Sequence, residues 1–339
     1  MSVPIEGYVL HTYGPDRFVR HALASVVSLR RYDRKRPVAL FCPQSHLSLL
    51  KRAGLDHHFQ DIFILPKENR SIVGFKHHLD KFMVYDRSLF LDSDMIWCKN
   101  PDPLWAQLSA FSFTATGLER ADFFFGGPKG LAVLGDILLD KRRATMKRFG
   151  LTGLPRVQAG MIYCQDREYA QIVSETAAYF LAQHAETHFR SRLKEGRNEE
   201  SCEWSLAMAM SRLRLPVFPW LQGLNSPQLD FVEGLTNYDP NFEEVTSRYY
   251  ADRLVYSLRG LRNKALRDVL IRVLSSLPGK GDYYDVTPYV LHFGWLHHKQ
   301  PFYDFASRVW EELAVEQPIA VPVNGHAIFT NGMVNPATV

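Results

Sequence analysis

Asp92 and Asp94 stand two positions apart at the end of an apolar run, Ser88-Leu89-Phe90-Leu91-Asp92-Ser93-Asp94-Met95-Ile96-Trp97. Carboxylates this close repel each other, and a shared divalent cation removes the repulsion. An apolar strand that runs into such a pair delivers both acids to the C-terminal edge of a sheet, where open α/β folds bind ligands. The bland alternative for Asp-x-Asp is a solvated turn or a helix cap. The preceding strand favours the metal.

The elements that must hold this pair alternate between strand and helix. Tyr8-Val9-Leu10, Pro37 to Cys42, Asp61 to Leu65 and Ser88 to Leu91 read as short apolar strands. Between them, Arg17 to Arg31, Ser45 to Ala53 and His78 to Tyr85 carry helical spacing; in the first, Phe18, Ala22, Val26 and Leu29 fall on one face. Met161 to Cys164 and Tyr289 to Phe293 are later strands, and Tyr169 to His184 and Ser201 to Arg212 later helices. This alternation predicts an α/β fold with a mostly parallel sheet covered on both faces.

The 339 residues, 46% of them hydrophobic, exclude a disordered chain. The net charge of +4 is too small for a nucleic-acid binder with an evenly charged surface. That charge is uneven. Arg248 to Arg272 holds seven cations against Asp252 and Asp268, a local +5 that leaves the rest of the chain at −1. Leu254, Leu258, Leu261, Ala265 and Val269 recur at three- and four-residue steps, predicting a basic amphipathic helix. Three fates are open to it: a solvated face, an anionic membrane surface, or a surface for an anionic acceptor. Cys42, Cys98, Cys164 and Cys202 are widely spaced, which excludes a zinc ribbon and a disulfide scaffold and fits a reducing compartment. No run reaches the roughly 18 apolar residues of a membrane span and the first residues lack a signal-peptide pattern, so the expectation is a cytoplasmic protein, with peripheral membrane contact left open.

Five blocks, in order, resemble retaining glycosyltransferases of the GT-A fold, the group that includes glycogenin and bacterial lipopolysaccharide galactosyltransferases. They are Tyr8 to Tyr13 with Ser25 to Leu29; Lys76 ahead of Tyr85-Asp86-Arg87; Phe90 to Asp94; Gln158-Ala159-Gly160-Met161-Ile162 with Glu203 to Ala207; and Leu291-His292-Phe293-Gly294-Trp295 with Lys299 and Pro301. The resemblance implies a GT-A core over 1–245, with nucleotide-sugar binding mainly in 1–105 and the acceptor side in 106–245. It leaves 246–282 as a basic helical insertion, 283–310 as the return of the core with the metal-ligand block, and 311–339 as a tail. It also implies a nucleoside resting on Leu10, His11, Thr12 and Tyr13, with Ser93, Gly160 and Gly294 beside the donor. Asp92 would touch ribose and metal, Asp94 the metal, and His292 would be the third ligand.

An octahedral site with two carboxylates and one imidazole favours Mn²⁺ over Mg²⁺. The implied donor is a UDP-sugar, and the implied reaction moves a hexose-type sugar to an unidentified acceptor with retention. Lys76 and Lys299 are candidates for the phosphate charge, and Glu203 and Gln158 for the role of nucleophile in a double displacement. The plain alternatives are a core histidine for His292, solvated lysines, and surface positions for His77, His78, His297 and His298; Trp295 is core or a sugar-stacking wall. Where the family often places an acid before Glu203, this chain has Cys202, and Gln300 intervenes between Lys299 and Pro301. Two other functions compete. Haloacid-dehalogenase-like phosphotransferases also carry Asp-x-Asp, but on the first strand and with Thr or Val two places on, where this chain has Ile96. A sugar-nucleotide-fold protein that binds without turnover is the non-enzymatic alternative.

Overall fold

A computed structural model of the chain describes residues 4–121, 125–127, 132–250, 261, 263–276, 283–294 and 298–314. Strands β1 (Glu6–His11), β2 (Val38–Cys42), β3 (Asp61–Ile64) and β4 (Arg87–Leu91) lie parallel in the order β3-β2-β1-β4. The chain then leaves this sheet through β5 (Met95–Trp97) and returns as β6 (Phe113–Leu118), β7 (Arg156–Cys164) and β8 (Phe218–Pro219). β7 pairs antiparallel with β4, completing a mixed, mostly parallel seven-stranded sheet, β3-β2-β1-β4-β7-β6-β8. Later come β9 (Gln228–Asp230), β10 (Thr236–Tyr238), β11 (Val245–Tyr250), β12 (Tyr283–Val286) and β13 (Val290–His292). β10, β11 and β12 form an antiparallel sheet, and β13 sits between β5 and β9 in a mixed one.

The central strands carry apolar residues on both faces because each face of the sheet has its own cover. Tyr8, Leu10, Leu40, Leu89, Leu91, Met161 and Tyr163 point into one core, and the alternate residues Val9, Phe41, Phe90, Ile162 and Cys164 into the other. Helix Arg17–Arg30 covers the first face and carries the C-terminal helix Gln300–Leu313 packed against it. Helices Arg167–Ala182 and Glu203–Arg212 contribute to the second. All four cysteines are free and buried. No helix among the described residues is long and apolar enough to cross a membrane.

Three sequence expectations change. His78 to Tyr85 holds only one helical turn, Leu79–Phe82. The basic stretch is not one helix. Among the described residues of this stretch, Arg248 lies in β11, paired with Asp285 at 3.4 Å and stacked over Tyr283, and a helix occupies Lys264–Ser275. Its faces are also turned: Arg267 is buried against His298 (2.8 Å) and Asp268 (3.2 Å), whereas Leu266, Val269 and Val273 are about half exposed. A buried guanidinium needs such partners, and the spacing of leucines could not reveal them. His298 and His77 are likewise buried rather than on the surface, His77 against Ser205 Oγ at 3.0 Å. Leu254, Leu258, Trp295, His297 and the tail beyond 314 lie outside the described residues.

One ionic cluster ties the far end of β1 to its neighbours. The Arg36 guanidinium meets Asp33 (2.8 Å), Glu6 (2.8 Å) and Asp102 (2.7 Å), and the Tyr8 hydroxyl donates to Asp33 at 2.7 Å. Burial opposes the Asp33 charge, but hydrogen bonds from Arg36 and Tyr8 outweigh it and hold its carboxyl below the usual carboxylate range. A depressed folded-state pKa gives stability that is complete above the unfolded value and lost as pH falls through the folded one. Asp33→Ala should therefore cost about 2 kcal/mol at pH 7, below the ~3–5 of a wholly unpaired buried charge because Glu6 and Asp102 still hold Arg36. In urea melts the deficit should shrink below about pH 4; a deficit independent of pH would show that the charge of Asp33 is not what stabilises the cluster.

Candidate metal centre and its cleft

β4 ends at Leu91, so Asp92 and Asp94 emerge at the C-terminal edge of the parallel strands, with the Asp92 N–H donating to the Gly160 carbonyl at 2.9 Å. The chain pairs again at once through β5, whose Met95 is in register with His292 of β13, and the Phe293 N–H donates to the Asp94 carbonyl. Two backbone pairings thus place the imidazole beside the carboxylates across 197 intervening residues of chain. His292 Nε2 stands 3.8 Å from Asp92 Oδ2 and 3.6 Å from Asp94 Oδ1. Asp92, Asp94 and His292 each offer a ligand atom within 4.8 Å of the others, a cluster able to hold a divalent cation.

The other oxygen of each carboxylate is taken by a lysine. Lys76 Nζ meets Asp92 Oδ1 at 2.6 Å and Lys299 Nζ meets Asp94 Oδ2 at 2.5 Å, so Asp92 Oδ2, Asp94 Oδ1 and His292 Nε2 face one another. Burial works against both lysine charges, yet Asp92 and Asp94 respectively raise their pKa above the ordinary lysine value. Burial also opposes the charge of Asp94, and Lys299 and His292 together outweigh it and keep the carboxyl ionised. Adjacent ligands of an octahedral cation at ~2.1 Å lie about 3.0 Å apart and opposite ones about 4.2 Å. Small rotations of the carboxylates bring this trio to those separations.

Asp230, which the sequence reading missed, orients the ring. β9 runs parallel to β13 with Asp230 in register with His292, and Asp230 Oδ1 accepts from His292 Nδ1 at 2.7 Å. With Nδ1 donating, Nε2 keeps its lone pair for a metal, the arrangement in which histidine ligands are found. Two glycines make room. A Cβ on Gly160 would meet Met95 Cε at 2.8 Å and lie 3.5 Å from both Asp92 Oδ2 and His292 Nε2. A Cβ on Gly294 would strike His292 Cε1 at 2.6 Å. These cradles fit a small ion held by the trio.

A cleft of about 480 Å³ opens beside the cluster, lined by His11, Thr12, Tyr13, Lys76, Asp92, Ser93 and Asp94 among others. Of the expected site residues, Leu10 turns its side chain into the core, and Gly160 and Gly294 pack around the His292 ring. The His11 ring stacks on Phe75 at 3.9 Å, and burial lowers its pKa to about 3, with Lys76 adding to the effect, so it is neutral. His21, Arg192, Arg197 and Glu199 also line the cleft and carried no sequence signal. Gln158 and Glu203 do not line it. The Gln158 amide nitrogen lies 2.9 Å from Asp230 Oδ1, and Glu203 Oε1 accepts a long 3.4 Å bond from the Ala159 N–H. Burial raises the Glu203 carboxyl above its usual range, and it pushes the neighbouring Cys202 thiol up to about 12, leaving that thiol protonated.

No family model and no curated protein sequence matches the chain. Among solved structures, it is similar to galactosyltransferase LgtC in complex with donor and acceptor sugar analogs, with a TM-score of 0.50 and 12% identity over 94% of this chain and 98% of that one. An active-site mutant of LgtC matches with the same values. At this identity the likeness defines the fold, and the topology is GT-A-like.

If Asp230 orients the ligand imidazole, Asp230→Asn should weaken Mn²⁺ binding by roughly 10–100-fold with little loss of thermal stability, as measured by titrating free Mn²⁺ by electron paramagnetic resonance. Gly294→Ala should do the same by tilting the ring. Unchanged affinity in both variants would remove His292 from the ligand set.

Proposed function

We propose that the chain is a metal-dependent glycosyltransferase that moves a hexose-type sugar from a nucleotide-sugar donor, a UDP-sugar, to an acceptor alcohol with retention of anomeric configuration. The observation that carries this reading is the Asp92–Asp94–His292 trio at the C-terminal edge of a parallel sheet, flanked by Lys76 and Lys299 and open to a cleft. LgtC is a galactosyltransferase, and the hexose-type donor follows that likeness. The imidazole in the trio favours Mn²⁺ over Mg²⁺.

Cleaving the bond from the anomeric carbon to the diphosphate leaves charge on the departing oxygen. Stabilising that charge more in the transition state than in the ground state is what accelerates the step. A divalent cation, when bound, supplies Lewis-acid neutralisation of the diphosphate. Lys76 and Lys299 then lose part of their attraction to the carboxylates and act as point cations for the phosphate oxygens. Thr12 and Tyr13, on the turn after β1, support the nucleoside. In a front-face reaction the acceptor oxygen bonds to the anomeric carbon as the diphosphate leaves, and the acceptor proton passes to the departing phosphate oxygen. Double displacement fits the side chains less well: the Gln158 amide is engaged with Asp230, and burial disfavours the Glu203 carboxylate.

Contact with an anionic membrane surface remains part of the proposal, through the half-exposed Leu266, Val269 and Val273 on the helix that also bears Lys264 and Arg272. A reducing, cytoplasmic setting fits the four free thiols.

Incubated with UDP-glucose or UDP-galactose and Mn²⁺, the protein should release UDP, more slowly with Mg²⁺, and Asp94→Asn should lower the rate at least about 100-fold. Mn²⁺-dependent binding of UDP without release would mark a binding protein instead. A protein that neither binds nor turns over any nucleotide sugar with metal present would end the glycosyltransferase reading.

A further inference from the structure

The cleft has a second cationic wall. Arg192 and Arg197 line it together with Asp92 and Asp94, yet among the described residues neither guanidinium has an ion-pair or hydrogen-bond partner. The other cations near the metal trio, Lys76 and Lys299, are engaged by carboxylates. Three lining cations, Lys76, Arg192 and Arg197, balance three lining acids, Asp92, Asp94 and Glu199. A bound divalent cation therefore leaves a surplus of two positive charges, which matches the diphosphate of a nucleotide sugar.

The segment that presents these arginines is built into the fold at three places. At its base, Phe189 stacks on Trp204 with centroids 5.0 Å apart and fills the space where a Cβ on Gly126 would approach to 2.7 Å. The Glu200 carboxylate closes the loop on itself, accepting from the Ser191 hydroxyl at 2.7 Å and the Arg192 N–H at 2.9 Å. Glu199 clips the loop to the body of the protein, its Oε2 accepting from the Tyr13 hydroxyl at 2.7 Å and the Ile72 N–H at 2.8 Å. Tyr13 follows β1, and Ile72 opens the helix that ends in Lys76. The latch thus sets the arginines over the nucleotide side of the cleft, and its acid is turned to those two donors.

We propose that residues 191–200 form a clasp for the diphosphate of the nucleotide, with Arg192 and Arg197 as the binding residues and Glu199 as the residue that positions them. This rests on the reading of the cleft as a nucleotide-sugar site. The guanidinium fork suits paired phosphate oxygens, which a lysine meets only as a point charge.

Isothermal titration of the full chain with UDP and with uridine, both with Mn²⁺, tests the clasp, and Mn²⁺ alone reports the metal trio and correct folding. Arg192→Gln and Arg197→Gln should each weaken UDP about tenfold, the size of one charge-assisted hydrogen bond, and leave uridine and Mn²⁺ unchanged. Glu199→Ala should weaken UDP as much as the double arginine variant although both arginines remain, and Glu199→Gln, which keeps an acceptor oxygen, should restore most of the loss. UDP affinity that is equal in wild type and the arginine variants, or a parallel loss of uridine and UDP, overturns the clasp. Wild-type protein that takes up Mn²⁺ but no UDP overturns the nucleotide-sugar reading and the clasp with it; UDP binding indifferent to the arginines overturns the clasp alone.

Discussion

The mutual repulsion of Asp92 and Asp94 is the constraint around which the rest of the structure is arranged. Their ligand oxygens lie within 4.8 Å, where an effective dielectric of about 20 makes two like charges cost roughly 3.5 kcal/mol or more. The fold answers with two opposite charges brought from distant parts of the chain, Lys76 from the helix after β3 and Lys299 from the start of the C-terminal helix, and sets the His292 ring of β13 beside the acids. The lysines take the outer oxygens, so the inner oxygens and the imidazole nitrogen are left facing one another. The cluster they form at the edge of the cleft is able to hold a divalent cation.

Strand register supplies the precision. β5 is only three residues long, yet its antiparallel pairing with β13 decides that His292, and not Leu291, stands beside the acids. Because side chains alternate across a sheet, a slip of one residue would turn the imidazole to the opposite face. The parallel pairing of β9 with the other edge of β13 then sets Asp230 against the ring, so one short strand receives the acidic pair from one side and its orienting acid from the other. Gly160 and Gly294 belong to the same design. A side chain at Gly294 would strike the His292 ring itself, and one at Gly160 would press on the Met95 methyl beside it.

The region from Ser191 to Glu200 illustrates a different kind of positioning. It has no strand to fix it, and its shape comes from carboxylates that accept several hydrogen bonds at once. Such a segment lines the cleft through connections of one or two hydrogen bonds each, of about 1 kcal/mol apiece. Strand pairing therefore sets one wall of the cleft and side-chain hydrogen bonds the other.

The strands, the two-faced core and the acidic pair were legible in the sequence, because apolar periodicity and an abrupt change to Asp-Ser-Asp are local signals. The order of blocks also pointed to His292, Lys76 and Lys299, which do gather at the acids. Where the reading erred, the deciding partner was remote: Arg267 and His298 bury one another although composition places both at the surface, and Arg248, expected to open the basic helix, lies in a strand paired with β12. Asp230 ends an unremarkable three-residue run, and Glu199, Arg192 and Arg197 sit in a charged stretch without periodicity. The sequence alone thus determined which elements form and where an acidic pair must emerge, since those follow from the residues' own solvation. Only the tertiary structure decided which ring, acids and arginines meet that pair, because their encounter depends on strand register and loop closure between residues far apart in the chain.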